Sequence, residues 1–333
     1  MSEERLILRN TFHHSDFSDK ARLVEQKSSQ GLRISLAFPT LNEEATIGKE
    51  VLVLRTELMD RFPLLDEIAV IDSGSTDRTR EVASKNGARV YSSSDILRRH
   101  GSYRGKGENL WKSLFVLEGD IVVWIDADIS NISPRFVYGL VGPLLRDPRV
   151  AYVKAFYERP FRTAGELVAA GGGRVTEILV RPLFSMFYPE LAWMVQPLSG
   201  EYAGRRSLLE QLPFSVGYGV ELGHLIDIYH LFGMQAFAQV NMDRRVHRNQ
   251  PLASLGRMSF GILDTFVRRM KKYGEASIPP HLTEYLSVSL AEGETRVEHV
   301  DIVTIERPPI REIEEYRKKF PAPGARRDLA GNG

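Results

Sequence analysis

Ile121-Val122-Val123-Trp124-Ile125-Asp126-Ala127-Asp128 is the stretch on which the fold turns. Five consecutive apolar residues, mostly β-branched, predict a strand covered on both faces, as in a parallel sheet. Two carboxylates one residue apart close it, at the point where open α/β sheets bind ligands. Hard divalent cations take oxygen ligands, and Mg²⁺ or Mn²⁺ commonly bridges phosphates to one or two protein carboxylates. Alone, such a triplet is equally a solvated turn, so its weight comes from the loops upstream.

Upstream, strands and helices alternate. The pattern predicts strands at Arg33–Phe38, Glu67–Ile71 and Ala88–Tyr91, and helices at Glu43–Arg61, capped by Asn42, and at about Asp77–Asn86 and Gly107–Leu117. This order implies an α/β fold with a doubly wound, mostly parallel sheet. Pro39-Thr40-Leu41-Asn42-Glu43-Glu44 follows the first strand and Asp72-Ser73-Gly74-Ser75-Thr76-Asp77 the second. Arg104-Gly105-Lys106-Gly107 precedes the helix leading to 121–125. Carboxyl ends of parallel strands share one edge, so these loops should converge with Asp126–Asp128 on one crevice. Glycines on either side of Lys106 permit close backbone approach to a phosphate.

The remainder is less regular, with a strand near Ala151–Tyr157, helices near 174–187, 219–231 and 253–272, and strand-like segments at Tyr285–Leu290 and Val300–Ile305. The chain divides into a loosely attached arm (1–30), a regular α/β half (31–150), a less regular second half (151–273) and a C-terminal extension with a frayed tail (274–333). Its 333 residues carry 44 basic and 43 acidic side chains, so no overall field points to nucleic acid or an anionic membrane. The absence of cysteine excludes disulfides, thiolate metal sites and cysteine nucleophiles, and suits a reducing cytoplasm. No basic segment followed by an apolar one opens the chain, and Glu118 and Asp120 interrupt the best apolar run, so no membrane partner is expected.

In this order PTLNEE, DSGSTD, GKGE and DAD resemble the nucleotide-sugar glycosyltransferases of GT-A fold. Gly105–Trp111, Gly171–Thr176, Gly217–Gly223 and Arg244–Asn249 resemble more narrowly the glucosyl- and mannosyl-3-phosphoglycerate synthases of actinobacteria. The resemblance spans about residues 33–270. It implies that Pro39, Thr40, Leu41, Glu43 and Ser73 form the base and ribose pocket, that Lys106 contacts the nucleotide or its diphosphate, and that Asp126 and Ala127 contact ribose or donor sugar. Asp128 would hold a divalent metal (Mg²⁺, Mn²⁺ or Co²⁺), with His247 as the distant third protein ligand that completes the site; read without the resemblance, His247 in its basic stretch is better taken as a surface or core histidine. Gly172, Gly173, Arg174, Val175 and Thr176 would bind 3-phosphoglycerate through backbone amides, a helix dipole and a guanidinium, aided by Arg159 and Asn249. Glu221 would face the sugar hydroxyls and Arg245 would add positive charge at the leaving diphosphate, which together with Asp128 makes them the catalytic candidates.

The implied reaction is a retaining transfer of mannose or glucose from GDP-mannose, GDP-glucose or UDP-glucose to the 2-hydroxyl of 3-phosphoglycerate, by a homodimer. A polyprenyl-phosphate sugar transferase shares the early motifs but lacks its membrane-binding helix here. A sugar nucleotidyltransferase would carry a glycine-rich loop where PTLNEE stands, and a non-enzymatic nucleotide-binding module has little use for a metal pair beside an anion site.

Overall fold

The run at 121–125 looks uniformly apolar, yet its side chains part between two cores. Val122 and Trp124 join one cluster; Ile121, Val123 and Ile125 join the other. The same period-2 division separates Ala37 from Leu36 and Phe38. A continuous hydrophobic strand is therefore one that feeds both faces of a sheet clad in helices. The structure, a computed structural model, describes residues 7, 9–158, 161–163, 166–168, 173–246, 252–274, 284–291, 294–301 and 305–321.

The strands of the main sheet, in chain order, are β1 (Thr11–His13), β2 (Ile34–Thr40), β3 (Glu67–Asp72), β4 (Arg89–Ser92), β5 (Ile121–Trp124), β6 (Tyr152–Glu158), β7 (Tyr202–Arg205) and β8 (Phe237–Arg244). Their spatial order is β1-β8-β6-β7-β5-β2-β3-β4. All neighbours are parallel except β7, which is antiparallel to both β5 and β6. Among the described residues the α-helices longer than four residues are α1 (Lys20–Ser29), α2 (Ile47–Arg55), α3 (Thr79–Lys85), α4 (Lys106–Val116), α5 (Arg135–Arg146), α6 (Arg181–Phe187), α7 (Val220–Phe232), α8 (Leu252–Lys272) and α9 (Glu314–Lys319). Strand β2 lies between β3 and β5, so the order reverses there, and the reversal opens a crevice at the strands' carboxyl ends.

Several expectations are corrected. Residues 11–29 are no loose arm. β1 pairs with β8, Phe17 and Leu23 are buried in the core beside α5, and Lys27 reaches Asp66 at 2.7 Å. The helix expected at Glu43–Arg61 begins only at Ile47 and ends in a π-helical turn at Thr56–Arg61. Its cap is Thr46; Asn42 instead adopts a left-handed conformation (φ 58°), accepts the Thr76 N–H and donates its own N–H to Ser75. Helix α5 carries Gly139, Gly142 and Pro143, poor helix formers that masked it; burial of its apolar face overrides that propensity. Val300 and Asp301, where the segment expected at Val300–Ile305 begins, close a longer strand, Glu294–Asp301, paired with Glu284–Ala291; residues 302–304 lie outside the described residues.

Replacing Phe17 by Ala is expected to lower the unfolding free energy by about 3 kcal/mol, the usual cost of emptying an aromatic core site. Urea denaturation reads this directly, and a loss under about 1 kcal/mol would return the segment to the status of an arm.

Candidate active site

Four loops meet above the reversal point, and two of them are laced together before any ligand enters. Glu43 donates its N–H to the Thr79 hydroxyl, Glu44 to Asp77, and Arg78 returns one to the Glu44 carboxylate. Asp72 accepts the N–H groups of Gly74 and Ser75 at 3.0 Å each, which shapes the second loop. The Asp126–Asp128 loop is held from α2: the Thr46 hydroxyl donates to Ala127 O, Lys49 to Ser130 O, and Ile129 N–H to the fully buried Glu50 carboxylate at 2.7 Å. Burial holds Glu50 well above the usual carboxylate range, which suits a side chain that orients a loop.

The loops enclose a cavity of about 530 Å³ lined by Pro39, Thr40, Leu41, Glu43, Ser73, Lys106, Asp126, Ala127 and Asp128. Every base, ribose and phosphate candidate named from the sequence thus lines this cavity. Lys106 Nζ lies 2.5 Å from Asp126 and 2.9 Å from Glu221. Burial works against its charge, and these two carboxylates outweigh it and raise its pKa, so the ammonium is permanently charged. The glycines beside it also lie close against the protein's own chain. A Cβ on Gly107 would stand 1.8 Å from Ser215 O, so the close approach is to the protein's own 215–216 segment.

Arg245 ties the carboxylates into one unit. Its Nη2 lies 2.6 Å from Asp128, 3.3 Å from Asp126 and 3.2 Å from Glu201. Burial again opposes the charge, and Glu201, Tyr157 and the two aspartates raise its pKa well above the ordinary value. Burial raises Asp128, Arg245 lowers it, and Asp126 adds to the rise. A register shift in β8 between Asn241 and Arg244 delivers Arg245 to this place. Among the described residues no third histidine or carboxylate joins Asp126 and Asp128 at ligand distance; His247 lies just beyond Val246, outside the described residues, as do Arg159, Gly172 and Asn249. Arg174 is exposed, while Val175 and Thr176 are buried and line no part of the cavity, Val175 within an apolar core.

The family model for Glycosyl transferase family 2 matches residues 35–212. The glucosyl-3-phosphoglycerate synthase of Petrotoga mobilis is 55% identical, over 94% of this chain and 97% of that one. The chain belongs to this family. The Mycobacterium tuberculosis glucosyl-3-phosphoglycerate synthase is 44% identical over 86% of this chain and 87% of its own. A crystal structure of that protein with Mn²⁺, UDP and phosphoglyceric acid superposes with a TM-score of 0.78 at 41% identity, covering 88% and 94% of the two chains. The mannosyl-3-phosphoglycerate synthase of Rubrobacter xylanophilus superposes at 0.86 with 36% identity, covering 94% and 98%. The fold is thus the GT-A glycosyltransferase fold.

Within this glycosyltransferase, sequence reading missed Glu201, Lys154 and Gly200, because a single buried charge or glycine, in a strand or just before one, leaves no periodic signal. A Cβ on Gly200 would meet the Asp126 carboxylate at 1.8 Å, so only glycine fits beside it. Glu201 is fully buried; burial raises its pKa, Arg245 lowers it, and the Tyr157 hydroxyl donates to it. Lys154, 1% exposed, donates to Ser199 O and sits 4.3 Å from the Tyr202 ring centroid. Burial lowers it to about 7, against the opposing pull of Glu221.

That value fixes a sign. The folded pKa lies below the unfolded 10.5, so between about 7 and 10.5 the unfolded chain holds a proton the folded one lacks, and stability rises with pH across this window. Below it the burial penalty is fully present. Lys154→Met should remove this slope, so its advantage over the natural protein should shrink from pH 7 to 10 by on the order of a few kcal/mol. Parallel urea-midpoint profiles for the two proteins would refute the assignment.

Proposed function

We propose that this enzyme transfers glucose, with retention, from UDP-glucose to the 2-hydroxyl of 3-phosphoglycerate. The observation that carries the reading is the set of Lys106, Asp126 and Asp128 lining a cavity at the reversal point of a GT-A sheet, with the buried Arg245 bound to both aspartates. The close relatives bearing the glucosyl name support glucose over mannose, and the relative solved with UDP-glucose supports uracil as the base. The residues fit a divalent cation: Asp128 and Asp126 are hard oxygen donors on the cavity wall, and Arg245 engages Asp128 through Oδ1. Asp128 would hold that cation with His247, and when bound it would stabilise negative charge on the leaving diphosphate. Relatives have been solved with Mn²⁺ and with Mg²⁺.

The chain's own groups account for the remainder. Pro39, Thr40, Leu41, Glu43 and Ser73 take base and ribose, and Ala127 contributes backbone. Lys106, charged at every working pH, contacts the diphosphate or the sugar beside it. Glu221, bound to Lys106, faces the sugar hydroxyls. Arg245 stands where charge grows as the anomeric C–O bond breaks. The acceptor hydroxyl attacks the same face, and its proton passes to the departing phosphate oxygen, so no enzymic nucleophile is required. Gly172, Gly173, Arg174, Val175 and Thr176, with Arg159 and Asn249, hold 3-phosphoglycerate; the buried Val175 can serve only through its backbone. The hairpin of residues 284–301 pairs with itself and not with the main sheet, which supports a homodimer formed through the C-terminal extension; light scattering at micromolar concentration checks it, and a stable monomer would exclude it.

Purified protein supplied with 3-phosphoglycerate should turn over UDP-glucose faster than GDP-glucose or GDP-mannose. Asp128→Ala should cost several orders of magnitude in turnover, whereas Arg174→Ala should raise KM for 3-phosphoglycerate about tenfold or more with nucleotide affinity unchanged. Full activity in EDTA, or loss of nucleotide binding in Arg174→Ala, would overturn the assignment of the subsites.

A further inference from the structure

We infer a second metal site, separate from the cavity, formed by His13, His14 and Asp243 and suited to Zn²⁺ or a similar late transition-metal cation. Neighbouring residues in a strand point to opposite faces, but β1 ends at His13 and the tight turn His14–Phe17 begins at once. Both imidazoles therefore stand side by side, their centroids 4.4 Å apart. They converge on one carboxylate: His13 Nε2 lies 2.8 Å from Asp243 Oδ1, and His14 Nε2 lies 2.6 Å from Oδ2. One ligand atom from each residue falls within 4.8 Å of the others. None of the three residues lines the cavity.

The surroundings are those of a ligand set. Metal-bound histidines rest their other ring nitrogen on an oxygen that fixes the tautomer. Here His13 Nδ1 is 2.7 Å from the Ser15 hydroxyl and His14 Nδ1 is 3.1 Å from the Tyr138 hydroxyl. With protons at Nδ1, two bare Nε2 lone pairs and a carboxylate face one point, which only a cation between them can satisfy. Asp243 itself lies in the left-handed region (φ 61°), which aspartate tolerates better than most residues, with its N–H on Asn241 Oδ1 and Arg135 3.5 Å from its carboxylate. A simple hydrogen-bonded pair would need one imidazole, not two. The rival arrangement puts a proton on each Nε2; the Ser15 N–H, 3.3 Å from His13 Nδ1, suits it at one ring. Two imidazole nitrogens and one carboxylate oxygen match Zn²⁺, Co²⁺ or Ni²⁺ and not Mg²⁺, which prefers oxygen. The side chains of His13 and Asp243 are 42% and 46% exposed, so the site is open to solvent ions and to water as a remaining ligand. A cation there would clamp β1 to the bulge of β8 that precedes Arg245.

The experiment uses the full-length Asp128→Asn protein, which lacks the metal ligand proposed in the cavity. After loading with Zn²⁺ and exhaustive dialysis, it should retain one zinc per chain, and the same protein carrying His13→Gln and His14→Gln should retain none. Equal zinc in both proteins, or none in the first, would overturn the site. X-ray absorption at the zinc edge of the Asp128→Asn protein decides independently of whether the histidine variants fold: two imidazole ligands support the site, and fewer than two refute it.

Discussion

One guanidinium determines how this active site is built. Arg245 is almost wholly buried among Asp126, Asp128 and Glu201, and a charge so placed persists only because the carboxylates offset its desolvation. The dependence is mutual. Asp126 and Asp128 are close enough to repel, and Arg245 with Lys106 offsets that repulsion. Removing any member strands another charge, so the cluster behaves as a unit and not as a list of contacts. Its position follows from backbone: β5 ends just before the aspartates, the β8 bulge aims the arginine, and β7, antiparallel between β5 and β6, is preceded by Gly200, which abuts Asp126, and Glu201, which meets Arg245.

The rest of the first half preorganises that arrangement. The loops after β2 and β3 are cross-linked through Asn42, Ser75, Thr76, Thr79 and Asp77, and α2 grips the aspartate loop through Thr46, Lys49 and Glu50. A nucleotide pocket assembled this way needs little ordering when ligand arrives.

The legible part of the sequence was the part with period and punctuation. β2, β3, β4 and β5 and the loops behind them could be placed because apolar runs ended in Gly, Ser, Asp and Asn, and those loops carried all of the nucleotide candidates. Helix α5 was hidden by two glycines and a proline, and β7 by its shortness and its Ala-Gly centre; β1 and α1 sit in a polar stretch anchored to the core by a few apolar residues, chiefly Phe17 and Leu23 with Phe12 and Val24 beside them. Asn42 looked like a cap because asparagine often is one, yet the same side chain also tolerates a left-handed backbone, and here the loop required that instead. Glu201 and Lys154 left no trace, since tertiary placement alone makes a buried charge informative.

The shape of the sheet carries a further consequence. Its two margins are β1, three residues long, and β4, four residues long. A margin that short exposes few unpaired backbone groups, so another chain finds almost no template on which to add a strand. Growth of the sheet by edge-to-edge pairing is thereby blocked at both ends, and contact between molecules has to be made through side chains on helices or through the separate C-terminal hairpin. An eight-stranded core that would otherwise invite fibrous aggregation is blunted by the brevity of its outermost strands.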